Sequence, residues 1–421
     1  MDVAYASSLQ HRSFSDPYGG GVTKDLFVIA GEGAAVISID PSVLAAARTL
    51  LRADYLLITC GAGMSADSGL ATYESTPLEY RELCDPAMLV RDPIRFQTYW
   101  SDCARRYSGA VPHRGYEILN RWCGGERLEN LSRPRRQRGE EIRRGDKLTE
   151  SSAEERPGDV TEVDARLSPW WIYSSNVDGL FDASDRFKGK ICEIHGRALE
   201  LRCSERMGYT ADGERRRGPL WDEWNRDYES TERCGEYVLV DENTSDDAEF
   251  LQRTRESNRT SSSPLICPHC QRPLRPNILL FHDTDANILK RISTQRDRYQ
   301  NWEAKMEDDV VLNGKNLVIL ELGCGKNVPA VREEGEEVLR DIIERTEKVM
   351  SCQNGRRNEQ KKSGNVTMVR INPKDAEAEL NVDGEPNLSP HTISIFEPAE
   401  RALCMVDNLI GMLTSKRTDV F

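Results

Sequence analysis

At 421 residues, with 38% hydrophobic and 30% charged side chains, the chain can bury one sizeable core and a smaller module, with room left for long polar insertions. A formal net charge of -13 argues against direct binding to nucleic acid or to an anionic membrane, since both need a positive surface field. No apolar run reaches the length of a membrane span, and the opening MDVAYASSLQHRSF lacks the basic-then-apolar order of a signal peptide, so an intracellular protein, cytoplasmic or nuclear, is expected, with its twelve cysteines kept as thiols or metal ligands.

Residues 1–40, rich in Ser, Gly and Tyr at the start, read as an N-terminal arm. From 41 to 53, PSVLAAARTLLRA predicts an amphipathic helix with Pro41 in its first turn. It feeds the run Tyr55 to Thr59, apolar and partly β-branched like a buried parallel strand, which breaks off in the glycine loop of Gly61 and Gly63. A helix is expected to start near Ser65, its N–H groups facing whatever lies over the loop, as in a diphosphate cradle. Residues 76–123 read as helical, with Met88, Leu89, Phe96, Tyr99, Trp100, Tyr116, Ile118, Leu119 and Trp122 as core.

The stretch 124–166 breaks the pattern. Leu131 to Lys147 holds seven Lys or Arg against three acids, and the balance then turns acidic from Glu150 to Asp164; so little apolar area cannot offset the ordering entropy, and a disordered insertion is expected. Trp170 to Tyr173 is a second buried strand, ending in SSNVDG, and Lys190 to Ile194 a third, ending in His195-Gly196. Asn176, Asp178 and His195 therefore fall at the carboxyl edge of the sheet, where open α/β sheets bind ligands.

Residues 203–273 differ in character: short, polar and holding Cys203, Cys234, Cys267 and Cys270. The pair Cys267-Pro268-His269-Cys270 has the spacing that puts two thiolates on one tetrahedral metal ion. Cys203 is the obvious third ligand and Cys234 the only further cysteine in the segment, with no second CxxC beside them; His269 or His282 could substitute, or the site could be degenerate. After LRPNILLFHD (274–283) the main domain returns, with strands at Asn316 to Leu322, closing in Gly323 and Gly325, at Thr367 to Ile371, closing in Asn372-Pro373, and at HTISIF from His391, before a helix from Pro398 to Met412. Strands alternating with helices indicate an α/β fold, a doubly wound parallel sheet over 41–202 and 274–421, with the cysteine module inserted between them.

The ordered set GAGMSADSG, SSNVDG, EIHG, a split cysteine module, RPNILLF, a second glycine loop and RIN resembles the sirtuin family of NAD-dependent protein deacylases, from Leu51 to Leu413. The resemblance implies a Rossmann-type domain carrying a small zinc-binding module, with NAD and an acyl-lysine protein or peptide meeting between them. It implies that Gly61, Ala62, Gly63 and Ser65 hold the NAD diphosphate and adjoining ribose, that Tyr73 covers the nicotinamide and that Asn176 and Asp178 line its pocket. Gly323, Gly325, Arg370, Ile371 and Asn372 would surround the adenosine half. His195, with Asn176 and Asp178, would be catalytic: an imidazole with a pKa of about 6.5 suits a base acting near neutral pH. Zinc on Cys203, Cys234, Cys267 and Cys270 would be structural.

The departures mark a divergent branch. The usual Ile-Pro-Asp-Phe-Arg loop is Leu70-Ala71-Thr72-Tyr73-Glu74, and Ser175 replaces a Gln. The peptide-binding Phe-Gly-Glu is Phe281-His282-Asp283, and Cys324 and Lys326 stand where small hydroxyl residues are common. These changes leave two further functions in play on the same site, an NAD glycohydrolase or ADP-ribosyltransferase, and a non-catalytic NAD-sensing protein.

Overall fold

A computed structural model describes residues 9–13, 25–29, 36–72, 80–126, 128, 167–204, 238–239, 264–266, 273–283, 285–353, 365–378 and 386–415. Strands β1 (Leu9–Ser13), β2 (Asp25–Ile29) and β3 (Val36–Ser38) pair antiparallel in that order within the expected arm. Helix α1 (Pro41–Leu50) follows, with Asp40 capping it by accepting from the Ser42 N–H at 2.7 Å. The chain then enters β4 (Tyr55–Cys60), buried along all of its length.

The central sheet has six parallel strands in the order β12-β11-β10-β4-β5-β6: β5 (Trp170–Ser174), β6 (Ile191–Glu193), β10 (Asn316–Leu322), β11 (Asn365–Ile371) and β12 (Thr392–Ile395) join β4. In chain order this is 6-5-4-1-2-3, the doubly wound arrangement whose order reverses between β4 and β10. Both faces are covered, which is why the strands read as continuous apolar runs. Leu56, Ile58, Trp170, Ile172, Val318 and Leu320 point to one core, beneath α1, α6 (Arg114–Cys123) and α9 (Ala399–Ser415). Leu57, Trp171, Tyr173, Leu317 and Ile319 point to the other, beneath α7 (Ala286–Asn313) and α8 (Ala330–Gln353).

The expected helical stretch 76–123 is four helices in its described part: α3 (Tyr80–Leu83), α4 (Met88–Arg91), α5 (Pro93–Gly109) and α6. Proline explains the breaks, because it has no N–H to continue a helix and is tolerated only in the first turn. Pro93 opens α5 behind the cap Asp92, which accepts from Arg95 N–H at 3.0 Å, and Pro112 precedes the cap of α6.

A three-stranded antiparallel sheet, β8-β7-β9, stands beside the parallel one: β7 (Gly196–Cys203), β8 (Val238–Leu239) and β9 (Leu274–Ile278). Periodicity does not announce β7. Its buried positions include Glu200 and Arg202 while Leu199 and Leu201 are only half-buried, so the charges point inward. Helices α4 and α5 cover this sheet through Met88, Leu89, Phe96, Trp100, Ala198, Ile278 and Leu280. His195 lies between the last residue of β6 and the first of β7, where the chain passes from one sheet to the other.

Candidate active site at the switch point

Strand register lines up the carboxyl ends of Ile395, Ile371, Leu322, Cys60, Ser174 and Glu193 in one row. The residues just beyond that row include every expected strand-end residue. At the switch point the two glycine loops lie against each other: Gly61 N–H donates to Leu322 O and Gly63 N–H to Gly323 O, both at 3.0 Å. A Cβ on Gly63 would stand 2.7 Å from Gly323 Cα, and one on Gly323, whose φ is +61°, would stand 2.3 Å from the carbonyl carbon of Gly63. Glycine is required here because one backbone touches another. The helix expected near Ser65 starts at Ala62, since Gly61, in extended conformation, takes the cap position, and this helix, α2 (Ala62–Ala66), is a single turn. Gly325 is exposed with open space where its Cβ would be. Asn372 ties a third loop in, donating to Cys324 O at 3.0 Å and accepting from Lys374 and Asp375 N–H.

Ser65 is buried at the centre of a hydrogen-bonded cluster. Its hydroxyl donates to Asp178 Oδ2 at 2.6 Å and accepts from Asn176 Nδ2 at 3.0 Å. With its one proton committed to the carboxylate, its contact with Tyr116 at 3.1 Å must be donated by the tyrosine. Asp178 Oδ1 accepts from Leu180 N–H at 2.9 Å. Burial pushes the Asp178 carboxyl above its usual range, opposed by the bonds from Ser65 and Leu180 and by the charge of Arg197. Tyr116, expected only as core, thus also has a polar role. Its neighbour His113 is a site residue that sequence reasoning missed; the signal was present in Pro112-His113 as a cap ahead of an apolar period.

His195 is half-buried, and its Nδ1 lies 3.2 Å from Ser175 O. A carbonyl only accepts, so Nδ1 carries the proton and Nε2 presents its lone pair. Burial holds the imidazole below its ordinary pKa, with the Ser175 bond pulling the other way, so the ring is neutral at pH 7. Ser175 N–H in turn donates to Cys60 O at 3.1 Å, which links the histidine to the root of the first glycine loop. Beneath it Glu193 and Glu200 share Arg291 and Arg197, with Arg291 Nη1 2.8 Å from Glu200. Burial raises Glu193 to about 7.

Past β9 the backbone runs alongside: Leu279 N–H donates to His195 O at 2.8 Å and Phe281 N–H to Cys84 O at 2.9 Å. His282 adopts φ +61°, a left-handed conformation in which glycine is at ease. Asp283 turns inward to pair with the buried Arg275, and Phe281 is exposed. Arg370 is likewise internal, bonded to Glu321 and Glu336. Cys203 is buried at the end of β7. Tyr73, Glu74, Cys234, Cys267, Cys270 and all but the first residues of the 124–166 insertion (124–126, 128) lie outside the described residues, and among the described residues no group of three or more His, Cys, Asp or Glu could hold a metal ion. No helix among them is long and apolar enough to cross a membrane.

No protein-family model matches the chain. Over 169 residues it is 24% identical to NAD-dependent protein deacylase 2 of Pseudomonas aeruginosa; the match takes in 37% of this chain and 49% of the relative, so the chain spans about half the length of the curated relative it matches. Among solved structures it is similar to a Sir2 homologue–NAD complex (14% identity, TM-score 0.44, 88% of this chain and 94% of that one). It is also similar to Sir2 bound to an acetylated peptide (13%, 0.44, 87% and 97%) and to Sir2 with p53 peptide and NAD+ (13%, 0.45, 87% and 97%).

Proposed function

We propose that this chain, a divergent sirtuin-like protein, is an NAD-dependent protein-lysine deacylase that cleaves NAD to nicotinamide and transfers the acyl group to ADP-ribose. The observation that carries the reading is His195: a neutral imidazole, fixed at Nδ1 by Ser175 O, offers Nε2 as a base on the same rim as Asn176 and Asp178. Bound NAD would supply an electrophilic ribose carbon for the amide oxygen of an acyl-lysine. His195 Nε2 would take the proton of a ribose hydroxyl, so that the oxygen can accept the acyl group. Asn176, which gives one of its two Nδ2 hydrogens to Ser65, keeps Oδ1 for a ligand amide, and Asp178 holds that arrangement. Gly61, Ala62, Gly63 and Ser65 would pass along the diphosphate and ribose, Tyr73 would cover the nicotinamide, and Gly323, Gly325 and Asn372 would border the adenosine.

Structural zinc on Cys203, Cys234, Cys267 and Cys270 belongs to the same reading, with residues 203–273 as the small module. It is supported by the bridge between Ile266 and Pro273, on either side of the CxxC, and by Ser204 N–H donating to Pro273 O at 3.1 Å, which brings both flanks of that pair to the end of β7 next to Cys203. Four thiolates suit zinc. One observation favours a second reading, an NAD glycohydrolase or ADP-ribosyltransferase: Asp283, in the stretch where a peptide would lie, is committed to Arg275. Nicotinamide release from NAD, measured with and without an acetyl-lysine peptide and with His195→Ala, separates the functions. Release that needs peptide and histidine supports the deacylase, and release without peptide moves the assignment to the second reading. Binding of NAD with no release in either case rejects both in favour of a sensor.

A further inference from the structure

We propose that the first turn of α6 is a clamp on the first glycine loop, with His113 as a positioning residue that sets the affinity for the nucleotide. The helix α2 has five residues, too few to hold its own shape by internal bonds. Its shape is held from outside. His113 Nδ1 accepts the Gly115 N–H at 2.9 Å, so the ring proton is on Nε2 and is donated to Met64 O at 2.7 Å. The His113 backbone N–H donates to Ser68 Oγ at 3.0 Å, and Tyr116, one turn along, donates to Ser65 Oγ. Three bonds from two residues of one helix start, His113 and Tyr116, therefore reach Met64, Ser65 and Ser68. A fourth contact closes the far side, where Asp67 accepts the Glu400 N–H of α9 at 2.8 Å.

The imidazole is buried and stacked edge-on against Tyr116, with centroids 4.9 Å apart. Its place depends on Gly115: a Cβ there would stand 2.5 Å from His113 Cε1 and 2.8 Å from Nδ1. His113, Gly115 and Tyr116 thus form one unit, and none of the three faces the rim itself. They act through Ser65, the residue on which Asn176 and Asp178 converge.

A plain helix cap would need only the Nδ1 acceptor. The two roles separate in His113→Asn, whose Oδ1 can still cap Gly115 while nothing reaches Met64 O. We expect the melting temperature of this variant to stay within a few degrees of the parent, amide exchange to quicken at 61–68 and not in β4 or α9, and the dissociation constant for NAD, titrated calorimetrically, to rise about tenfold. Gly115→Ala, which displaces the ring without removing it, should quicken exchange over the same residues. The affinity part rests on the proposed NAD function; the exchange part does not. If the parent protein shows no heat with NAD, that function fails while exchange still decides the clamp. Unchanged exchange at 61–68 in His113→Asn overturns the clamp, and changed exchange with unchanged NAD affinity overturns its role in binding.

Discussion

The two flanks of the strand-end row are built from different materials. On the β5–β6 side, Ser65 is hydrogen-bonded to Asn176, Tyr116 and the buried carboxylate of Asp178, His195 is held separately on Ser175 O, and the ion pairs of Glu193 and Glu200 with Arg197 and Arg291 lie beside this cluster without bonding to Ser65. On the β10–β11 side, Glu321, Arg370, Arg332 and Glu336 form an ion network inside the protein, with Arg370 Nε 2.7 Å from Glu321 and its Nη2 2.6 Å from Glu336. Two arginines there also hold the carbonyls of Asp375 and Glu377 and so fix the loop after Asn372. Paired charges suit a part that must not move, since each ion is stable only in one geometry. His195, the proposed base, is held instead by a neutral backbone carbonyl.

That contrast can be broken from either side. The largest effect belongs to His195→Ala: under the proposed function nicotinamide release should fall by roughly 10²–10⁴-fold with little change in unfolding midpoint, because the variant loses the proposed base and only a half-buried ring. Loss of stability without loss of turnover would reverse the assignment. Arg370→Met should do the opposite, lowering stability by about 3–5 kcal/mol in urea unfolding, because Glu321 stays buried beside fewer cations. Ser65→Ala, on the β5–β6 side, removes the donor to Asp178 and the acceptor for Asn176, and about 1–3 kcal/mol is expected from the same titration.

Proton linkage gives a subtler test. Burial raises Glu193 from 4.5 to about 7, so between those values the folded chain holds a proton that the unfolded chain has released. Stability should therefore fall as pH rises across that window and level off above it, and Glu193→Gln should flatten the slope. A slope unchanged in the variant would place its source elsewhere. The smallest effect is at His282, where relief of the left-handed conformation in His282→Gly should stabilise by about 0.5 kcal/mol, net of glycine's greater freedom when unfolded. A measured destabilisation would show the imidazole making contacts that outweigh the backbone.

Much of the parallel sheet was legible because a strand buried on both faces must be apolar at every position, and the runs at Tyr55, Trp170, Asn316 and Thr367 are of that kind. The antiparallel sheet was not, since Glu200 and Arg202 invert the usual pattern and find partners in Asn277, Asp285 and Arg291, residues 70 and more positions away. The helices of 76–123 show the same limit on a smaller scale: composition argued for helix, and the prolines decided where each one stops.

By itself the sequence determined which polar residues end the strands, and hence which could meet at the carboxyl edge, because chain order and strand length are local properties. Which of them bond, and why three glycines are glycine, was settled only in three dimensions. Ser65 finds Asp178 across 113 positions, His113 finds Met64 across 49, and Gly63 has no side chain because Gly323 occupies that space. Such partners are distant in sequence, and a hydrogen bond or a backbone contact exists only where the fold brings both groups to within about 3 Å.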